Sequence, residues 1–228
     1  MKIAVLGTGM VGRALAGRLA QLGHDVVVGT RDVDETLART DPDAMGNPPY
    51  AEWQRANPEA GLVPLADAGA HGEVIVNATS GGASVAALEA AGTANLAGKV
   101  VLDVANPLDF SQGFPPTLLT ANTDSLGEQV QRAFPDARVV KALNTMNANV
   151  MVDPARVPGR HNVFVAGDDQ DAKRTVTGLL AEFGWPGESV IDLGGIRSAR
   201  GMEMYVILWL TLFGSFGTGD FNIAIVKA

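Results

Sequence analysis

Lys2-Ile-Ala-Val-Leu6 runs straight into Gly7-Thr8-Gly9-Met10-Val11-Gly12, and Val11, Leu15, Leu19 and Leu22 then recur at helical spacing. The first run reads as a buried strand, and the recurrence behind it as a helix with one apolar face. The glycines between them each have a physical task in a dinucleotide site. Gly7 permits the tight turn, Gly9 lets backbone approach a pyrophosphate, and Gly12 lets the helix pack closely on the strand. The pyrophosphate would then meet unpaired N–H groups at the positive end of the helix. A glycine triplet alone is weak evidence, because any tight turn can use glycines. Here it follows a strand, opens a helix and precedes a second strand, Asp25-Val-Val-Val28, within one βαβ length. The stretch therefore predicts a bound dinucleotide, with Gly7, Thr8, Gly9, Met10, Val11 and Gly12 around its phosphates.

The tip of the second strand selects between the two nicotinamide dinucleotides, because it meets the adenosine ribose. An acid there would accept from both ribose hydroxyls. The chain instead reads Val28-Gly29-Thr30-Arg31. Thr30 can donate to a 2′-phosphate, and the Arg31 guanidinium can pair with it and lie over the adenine. This favours NADP. Asp32, Asp34 and Glu35 crowd the same loop and oppose a phosphate dianion unless they point outward.

Further strands are read at Glu73–Val76, Lys99–Asp103, Arg138–Ala142, Asn162–Ala166 and Ser189–Asp192, all short and rich in β-branched residues. Helices fall between them: Ser84 to Ala91, one from Ser125 with Glu128 at capping-box spacing, one opened by Asp168-Asp-Gln-Asp171, and a last from Ser198 to Phe213. Alternation of strand and helix predicts an α/β fold, a Rossmann-type doubly wound parallel sheet. The expected organisation is a nucleotide-binding domain over residues 1–150 and a small C-terminal α/β extension over 151–228. Thr40 to His71, with five prolines and with Tyr50 and Trp53 expected on a short helix, breaks the rhythm and reads either as a flap near the adenosine end or substrate mouth, or as a surface insertion.

Composition narrows the classes. With 46% hydrophobic and 18% charged residues the chain is globular rather than disordered. A net charge of −8 without a basic run argues against nucleic acid or an anionic membrane as partner. No cysteine means no disulfide and no thiol nucleophile, and no metal-ligand spacing is found. Chain-start residues already read as a core strand, and the apolar Met204–Phe213 run is too short to span a bilayer, so the expected location is cytoplasmic. That last helix reads as buried within its own subunit or as facing a second one through Met202, Tyr205, Val206, Trp209 and Phe213.

Ligands of open parallel sheets bind beyond the carboxyl ends of the strands. Those segments are Asn77-Ala78-Thr79-Ser80-Gly81-Gly82, Val104-Ala105-Asn106-Pro107 and Asn144-Thr145-Met146-Asn147, all small, neutral and polar. Thr79, Ser80 and Gly81 read as lining the pyrophosphate path, and Ala78 is counted with Thr79 and Ser80 among the cofactor-binding candidates. Reducing a carbonyl normally needs a proton donor, whereas hydride transfer between two rings needs mainly geometry, with the carbons about 3–3.5 Å apart. The neutral strand ends fit the second chemistry, and no catalytic residue is assigned. Lys141 reads as a paired structural lysine in an apolar strand, His24 as a cap in the turn after the first helix, and His71 and His161 as residues preceding strands. Two other readings stay open. One is a nucleotide-binding sensor without turnover. The other is a reductase of a small imine or carbonyl, with Lys141 or Tyr205 as proton donor.

With these segments placed, the chain resembles the NADPH:F420 oxidoreductase family, the coenzyme F420-dependent NADP reductases. The resemblance rests on Gly7-Thr8-Gly9 with Gly12, Gly23-His24, Val28-Gly29-Thr30-Arg31, Val139 to Thr145, Val165-Ala166-Gly167-Asp168-Asp169, Ile191-Asp192-Leu193-Gly194 and Gly217 to Asn222. A related domain occurs in membrane ferric reductases. The resemblance implies a Rossmann domain, a small C-terminal domain and a homodimer that transfers a hydride reversibly between nicotinamide and a deazaflavin ring. By position, Thr8, Thr30 and Arg31 would hold the phosphates of NADP. Asn106 and Pro107, with Asn144, Thr145 and Met146, would border the nicotinamide and the second ring, coenzyme F420 or a flavin. Two residues depart from archaeal members: Glu35 stands near a lysine's place and Asn144 at a histidine's. F420 is anionic, and Arg197, Arg200 and Lys227 are the cations offered to it.

Overall fold

The structure, a computed structural model, describes residues 1–42 and 46–228. Eight strands form one sheet. In chain order they are β1 (Lys2–Leu6), β2 (Asp25–Thr30), β3 (Gly61–Pro64), β4 (Val74–Asn77), β5 (Val100–Asp103), β8 (Arg138–Ala142), β9 (Val163–Ala166) and β10 (Val190–Asp192). A short antiparallel ribbon, β6 (Leu108–Asp109) with β7 (Thr117–Leu118), stands apart. The order across the sheet is β10-β9-β8-β5-β4-β1-β2-β3. The six strands from β3 to β8 are parallel; β9 runs antiparallel to β8 and parallel to β10. The strands of 151–228 thus extend the sheet built by the first 150 residues.

Helices cover both faces, as parallel strands buried on both sides require. They are α1 (Met10–Gln21), α2 (Val33–Ala38), α3 (Tyr50–Ala56), α4 (Leu65–His71), α5 (Ser84–Ala91), α6 (Thr93–Leu96), α7 (Leu126–Ala133), α8 (Ala148–Val152), α9 (Gln170–Phe183) and α10 (Ala199–Phe216). Alternate residues of each strand serve opposite layers. Ile3, Val5, Val26 and Val28 join Leu15 and Leu19 of α1 in one core, while Ala4, Leu6 and Ile75 join Leu88 of α5 and Val130 of α7 in the other.

Caps fix where several helices start. The Ser125 hydroxyl accepts from Glu128 N and bonds its carboxylate, so the expected capping box exists. Asp169 caps α9 by accepting from Ala172 N. Asp168, expected beside it in the helix opening, accepts from Ile196 N instead.

The proline-rich segment departs most from the sequence reading. It contains the short helix expected around Tyr50 and Trp53, α3, together with an edge strand, β3, and a further helix, α4, which the sequence pattern did not separate. Asp43, Ala44 and Met45 of that segment lie outside the described residues. The final helix runs three residues beyond Phe213, to Phe216. After it the chain folds back. Ile223 O accepts from Asn162 N, Asn222 donates to Asn162 O, and Arg156 pairs with Asp220 at 2.7 Å. No helix among the described residues is long and apolar enough to cross a membrane.

Candidate functional site

Gly7 leaves β1 with φ +118°, a conformation that side chains rarely adopt, and a Cβ there would meet Ala78 O at 2.5 Å. Gly12 lies against Gly7 O so closely that a Cβ would fall 2.1 Å from it, which is how α1 comes to sit on the turn. Gly9 is the opposite case, with nothing within 4 Å of its missing Cβ. Open space at the start of α1, whose first turn carries no acid, matches what an anion needs at a helix N-terminus. Arg13 donates to Thr8 O at 2.7 Å and pins the turn.

Besides a cavity of about 550 Å³ bordered by Thr8, Gly9, Arg13 and Tyr50, two cavities that share a wall meet beside this turn. The first, about 390 Å³, is lined by Gly7, Thr8 and Gly9, by Thr30 and Arg31 at the tip of β2, and by Ala78, Thr79 and Ser80 beyond β4. Its size suits a mononucleotide half. Of the three acids flagged in the sequence, Asp32 and Glu35 line it and Asp34 does not. Both lining acids are occupied. Asp32 accepts from Glu35 N as the cap of α2, and Glu35 pairs with Arg39 at 2.7 Å. Arg39, a second cation on this wall, escaped the sequence reading, although its i,i+4 spacing from Glu35 was visible. Thr36 gives its proton to Asp32 O, so Thr30 is the donor in the Thr30–Thr36 contact of 2.8 Å. The Thr30 hydroxyl must turn to meet a phosphate.

The second cavity, about 410 Å³, shares Ala78, Thr79 and Ser80 with the first. Met10, Val11, Asn106, Asn144 and Met146 line it, as does Phe110 of the chain following β6. Val206, Trp209 and Leu210 of α10 also form its wall, which the sequence reading did not foresee. Gly12, Pro107 and Thr145 line neither cavity. Asn144 follows Leu143, which is held at φ +65° while fully buried. A leucine in that region is strained by about 1–2 kcal/mol, and such strain concentrates at working sites.

Asn106 and Asn144 hold each other across the strand ends. Asn106 Nδ2 donates to Asn144 O at 2.8 Å, and Asn144 Nδ2 donates to Asn106 Oδ1 at 2.9 Å. This reciprocity fixes both amide orientations. Asn144 Oδ1 is left buried, without a partner among the described residues.

Beneath these segments lies a buried ionic cluster. Lys141 Nζ donates to Asp103 at 2.9 Å and to Ala105 O, and pairs with Glu203 of α10 at 2.8 Å. Burial alone would lower its pKa; the two carboxylates outweigh that and hold it above the ordinary lysine value. Glu203 also accepts from Leu126 N and Gly127 N at the start of α7. On its other side Asp103 accepts from Asn77 Nδ2 and Ala105 N, and Asn77 accepts from the Thr79 hydroxyl at 2.7 Å. A bonded chain thus runs from α10 to the partition between the cavities. Lys141 is the paired structural lysine the sequence suggested, and its three protons are all engaged.

The remaining candidates sit elsewhere. His24 does not cap a helix with its side chain; its ring bonds Glu182 at 2.6 Å and approaches the Met1 amine at 3.3 Å. His71, the last residue of α4, contacts Asp25. His161 bonds Pro154 O and Asn222 and meets Trp185 edge-on. Tyr205 is half-buried and outside the second cavity. Arg200 is committed to Glu128 at 2.7 Å, and neither Arg197 nor Lys227 lines that cavity. Among the described residues no cluster of His, Cys, Asp and Glu could hold a metal.

Comparison with known proteins bears on this geometry. Residues 2–107 match the family model described as NADP oxidoreductase coenzyme F420-dependent. An F420-dependent NADP reductase from Methanothermobacter marburgensis is 31% identical over 216 residues, covering 93% of this chain and 92% of that protein. The metalloreductase STEAP3 of Rattus norvegicus is 30% identical over 202 residues, covering 89% of this chain; the chain spans only 36% of that protein's length. A crystal structure from an Arthrobacter species, described as a candidate F420-dependent NADP reductase, superimposes with a TM-score of 0.94 at 55% identity, each chain fully covered.

Proposed function

The chain belongs to the family of coenzyme F420-dependent NADP oxidoreductases, and from that premise we propose that it passes a hydride between NADP(H) and coenzyme F420 or a flavin-like ring. The observation that carries this reading is the pair of cavities joined at Ala78, Thr79 and Ser80. A dinucleotide laid across that partition puts its adenosine phosphates by Arg31 and its nicotinamide in the second cavity. That cavity is mainly apolar, and no carboxylate, histidine or lysine lines it. Such a wall excludes water and holds two flat rings together, which is what direct hydride transfer requires.

The residues divide by task. Gly7, Thr8, Gly9 and the N-terminal turn of α1 take the pyrophosphate; Thr30 and Arg31 take the 2′-phosphate, with Arg39 offsetting Glu35. Asn106, Asn144 and Met146 border the nicotinamide. Residues 1–150 form the NADP-binding unit and 151–228 the smaller unit, whose exposed Met204, Ile207 and Leu208 on α10 offer a face to a second copy in a homodimer.

The test is anaerobic mixing of the purified protein with NADPH and oxidised F420, with FMN and FAD in parallel. Loss of the visible F420 absorbance at a rate set by enzyme concentration is expected. NADPH binding without reduction of any of the three rings would overturn the acceptor assignment and favour a sensor.

A further inference from the structure

Asn147 closes the third of the neutral strand-end segments and lines the second cavity, half-buried. The two ends of its amide have different positions in the fold. Oδ1 accepts from Asn149 N at 2.9 Å and so caps α8. That bond fixes which end of the amide is oxygen, and it leaves the two protons of Nδ2 without a partner among the described residues. Unlike Asn144 Oδ1, Asn147 Nδ2 is not closed off from solvent.

The amide is held from two sides. Besides the cap, the returning tail passes over it so closely that a Cβ on Gly219 would fall 2.6 Å from Nδ2 and 3.1 Å from Cγ. The tail itself is anchored, because Asn222 bonds Asn162 O and His161, and Phe221 stacks on Trp209 at 5.3 Å. The donor direction is therefore set before any ligand arrives.

Its surroundings say what it meets. α8 packs on α1, and Met10 and Val11 of α1 line the cavity together with Met146, Ala148 and Met151. A dinucleotide coming from the pyrophosphate turn enters on this side. The wall here is otherwise apolar, and the carboxamide oxygen is the only hydrogen-bond acceptor that a nicotinamide ring carries. With Oδ1 committed to α8, Asn147 can meet that oxygen but not the carboxamide amine. The amide donors of Asn106 and Asn144 are spent on each other's residues. The Ser80 hydroxyl makes no cap bond and is free as well. Ser80 is exposed and lines both cavities, so it stands at the pyrophosphate crossing rather than at the ring.

We propose that Asn147 is a specificity-determining residue that orients the nicotinamide, donating from Nδ2 to its carboxamide oxygen. This bond sets the rotation of the ring about its ribose, and with it which face, carrying which of the two C4 hydrogens, turns to the acceptor. The proposal rests on the hydride-transfer reading above and deepens it. The hydrogen on that face leaves C4 with both electrons, which form the new C–H bond on the acceptor ring. The acceptor takes its proton from solvent, NADP⁺ remains, and Asn147 keeps both of its protons. A ring turned the other way loses the bond and sets its carboxamide against apolar side chains, a cost the correct face does not bear.

The experiment measures Kd by calorimetry for NADP⁺ and two analogues, on wild type and Asn147→Ser, with thermal unfolding of each. One analogue carries an acetyl group in place of the carboxamide and keeps the oxygen; the other carries a thioamide, with sulfur in its place. Wild type is expected to bind the acetyl analogue within about twofold of NADP⁺ and the thioamide about three- to tenfold more weakly. Asn147→Ser keeps an oxygen to cap α8 and has no amide nitrogen. Its NADP⁺ Kd should rise about three- to tenfold and its preference for oxygen over sulfur should vanish. A role in capping alone would leave that preference intact, and either its survival in Asn147→Ser or its absence in wild type overturns the proposal. Single turnovers with NADPH deuterated at one or the other C4 position then read the face. Wild type should deliver deuterium to F420 from one position, and delivery from the other should rise about three- to tenfold in Asn147→Ser. A lost preference with unchanged delivery overturns the setting of the face. Should Asn147→Ser fail to fold, Asn147→Asp decides by the same preference, since its carboxylate caps α8 and cannot donate. A wild type that shows the preference but reduces neither F420 nor FMN overturns the acceptor reading and leaves the Asn147 contact standing.

Discussion

Lys141 on β8 and Glu203 on α10 meet at 2.8 Å with both side chains essentially excluded from solvent. The pair ties the helix that walls the second cavity to the strand that ends in Asn144. Asp103 completes the cluster from the neighbouring strand, where it lies directly opposite Lys141 in the register. Removing one member of a buried ion pair leaves charge uncompensated and costs about 3–5 kcal/mol. Lys141→Met should lower the urea unfolding free energy by that amount. A loss under about 1 kcal/mol would contradict a structural role for the cluster.

The second prediction separates the glycines of the first turn. Gly9 has φ −77° and open space at its Cβ, so Gly9→Ala should fold with stability changed by about 0.5 kcal/mol or less. Its methyl group would occupy the approach to the pyrophosphate, and NADPH binding should weaken at least about tenfold, equivalent to ~1.4 kcal/mol. Gly12→Ala would place Cβ 2.1 Å from Gly7 O and should lose stability as well as binding. Calorimetric titration with thermal unfolding on both variants checks the contrast, and equal behaviour would refute it.

Cofactor choice turns on Arg31. A charge-assisted hydrogen bond contributes roughly 1.5–3 kcal/mol, so Arg31→Ala should raise the NADPH Kd by about tenfold to somewhat over a hundredfold. NADH, which lacks the 2′-phosphate, should lose less than about threefold by the same reasoning. Glu35→Gln releases Arg39 from its 2.7 Å pair and should tighten NADPH while leaving NADH unchanged. Equal losses for both cofactors in Arg31→Ala would remove the phosphate role.

Acid stability offers a fourth prediction. The Arg200 guanidinium holds the Glu128 carboxyl below the ordinary glutamate pKa, against the opposing effect of burial. A carboxylate with a depressed folded pKa contributes stability above its unfolded value, near 4.3, and loses it as pH falls through the folded value. Wild type should therefore exceed Arg200→Met by a constant margin above about pH 5, with the margin shrinking below about pH 4. Urea unfolding at several pH values measures this. A margin independent of pH down to acid unfolding would contradict the pairing.

How far the sequence carried can be seen at particular residues. Gly7, Gly9 and Gly12 were readable because a fixed spacing between a strand and a helix encodes local backbone geometry. Ser125 and Glu128 were readable for the same reason. The edge strand Gly61–Pro64 was not, since four residues hold too little periodicity to separate strand from loop. Lys141 could be recognised as buried, but its partners lie 38 and 62 positions away and only the fold joins them. Val206, Trp209 and Leu210 were visible as apolar helix residues. Which of them line a cavity depends on how α10 is rotated by Glu203 and by the tail residue Phe221, and no local pattern carries that information.

The most direct test of the account is a single turnover with NADPH carrying deuterium at the transferred C4 position, followed by mass measurement of the reduced F420. Hydride transfer between two rings held in the second cavity predicts that the deuterium appears in F420, with no hydrogen from solvent at the reduced carbon. Solvent hydrogen at that carbon, or an F420 spectrum that never bleaches while NADPH is bound, would contradict it.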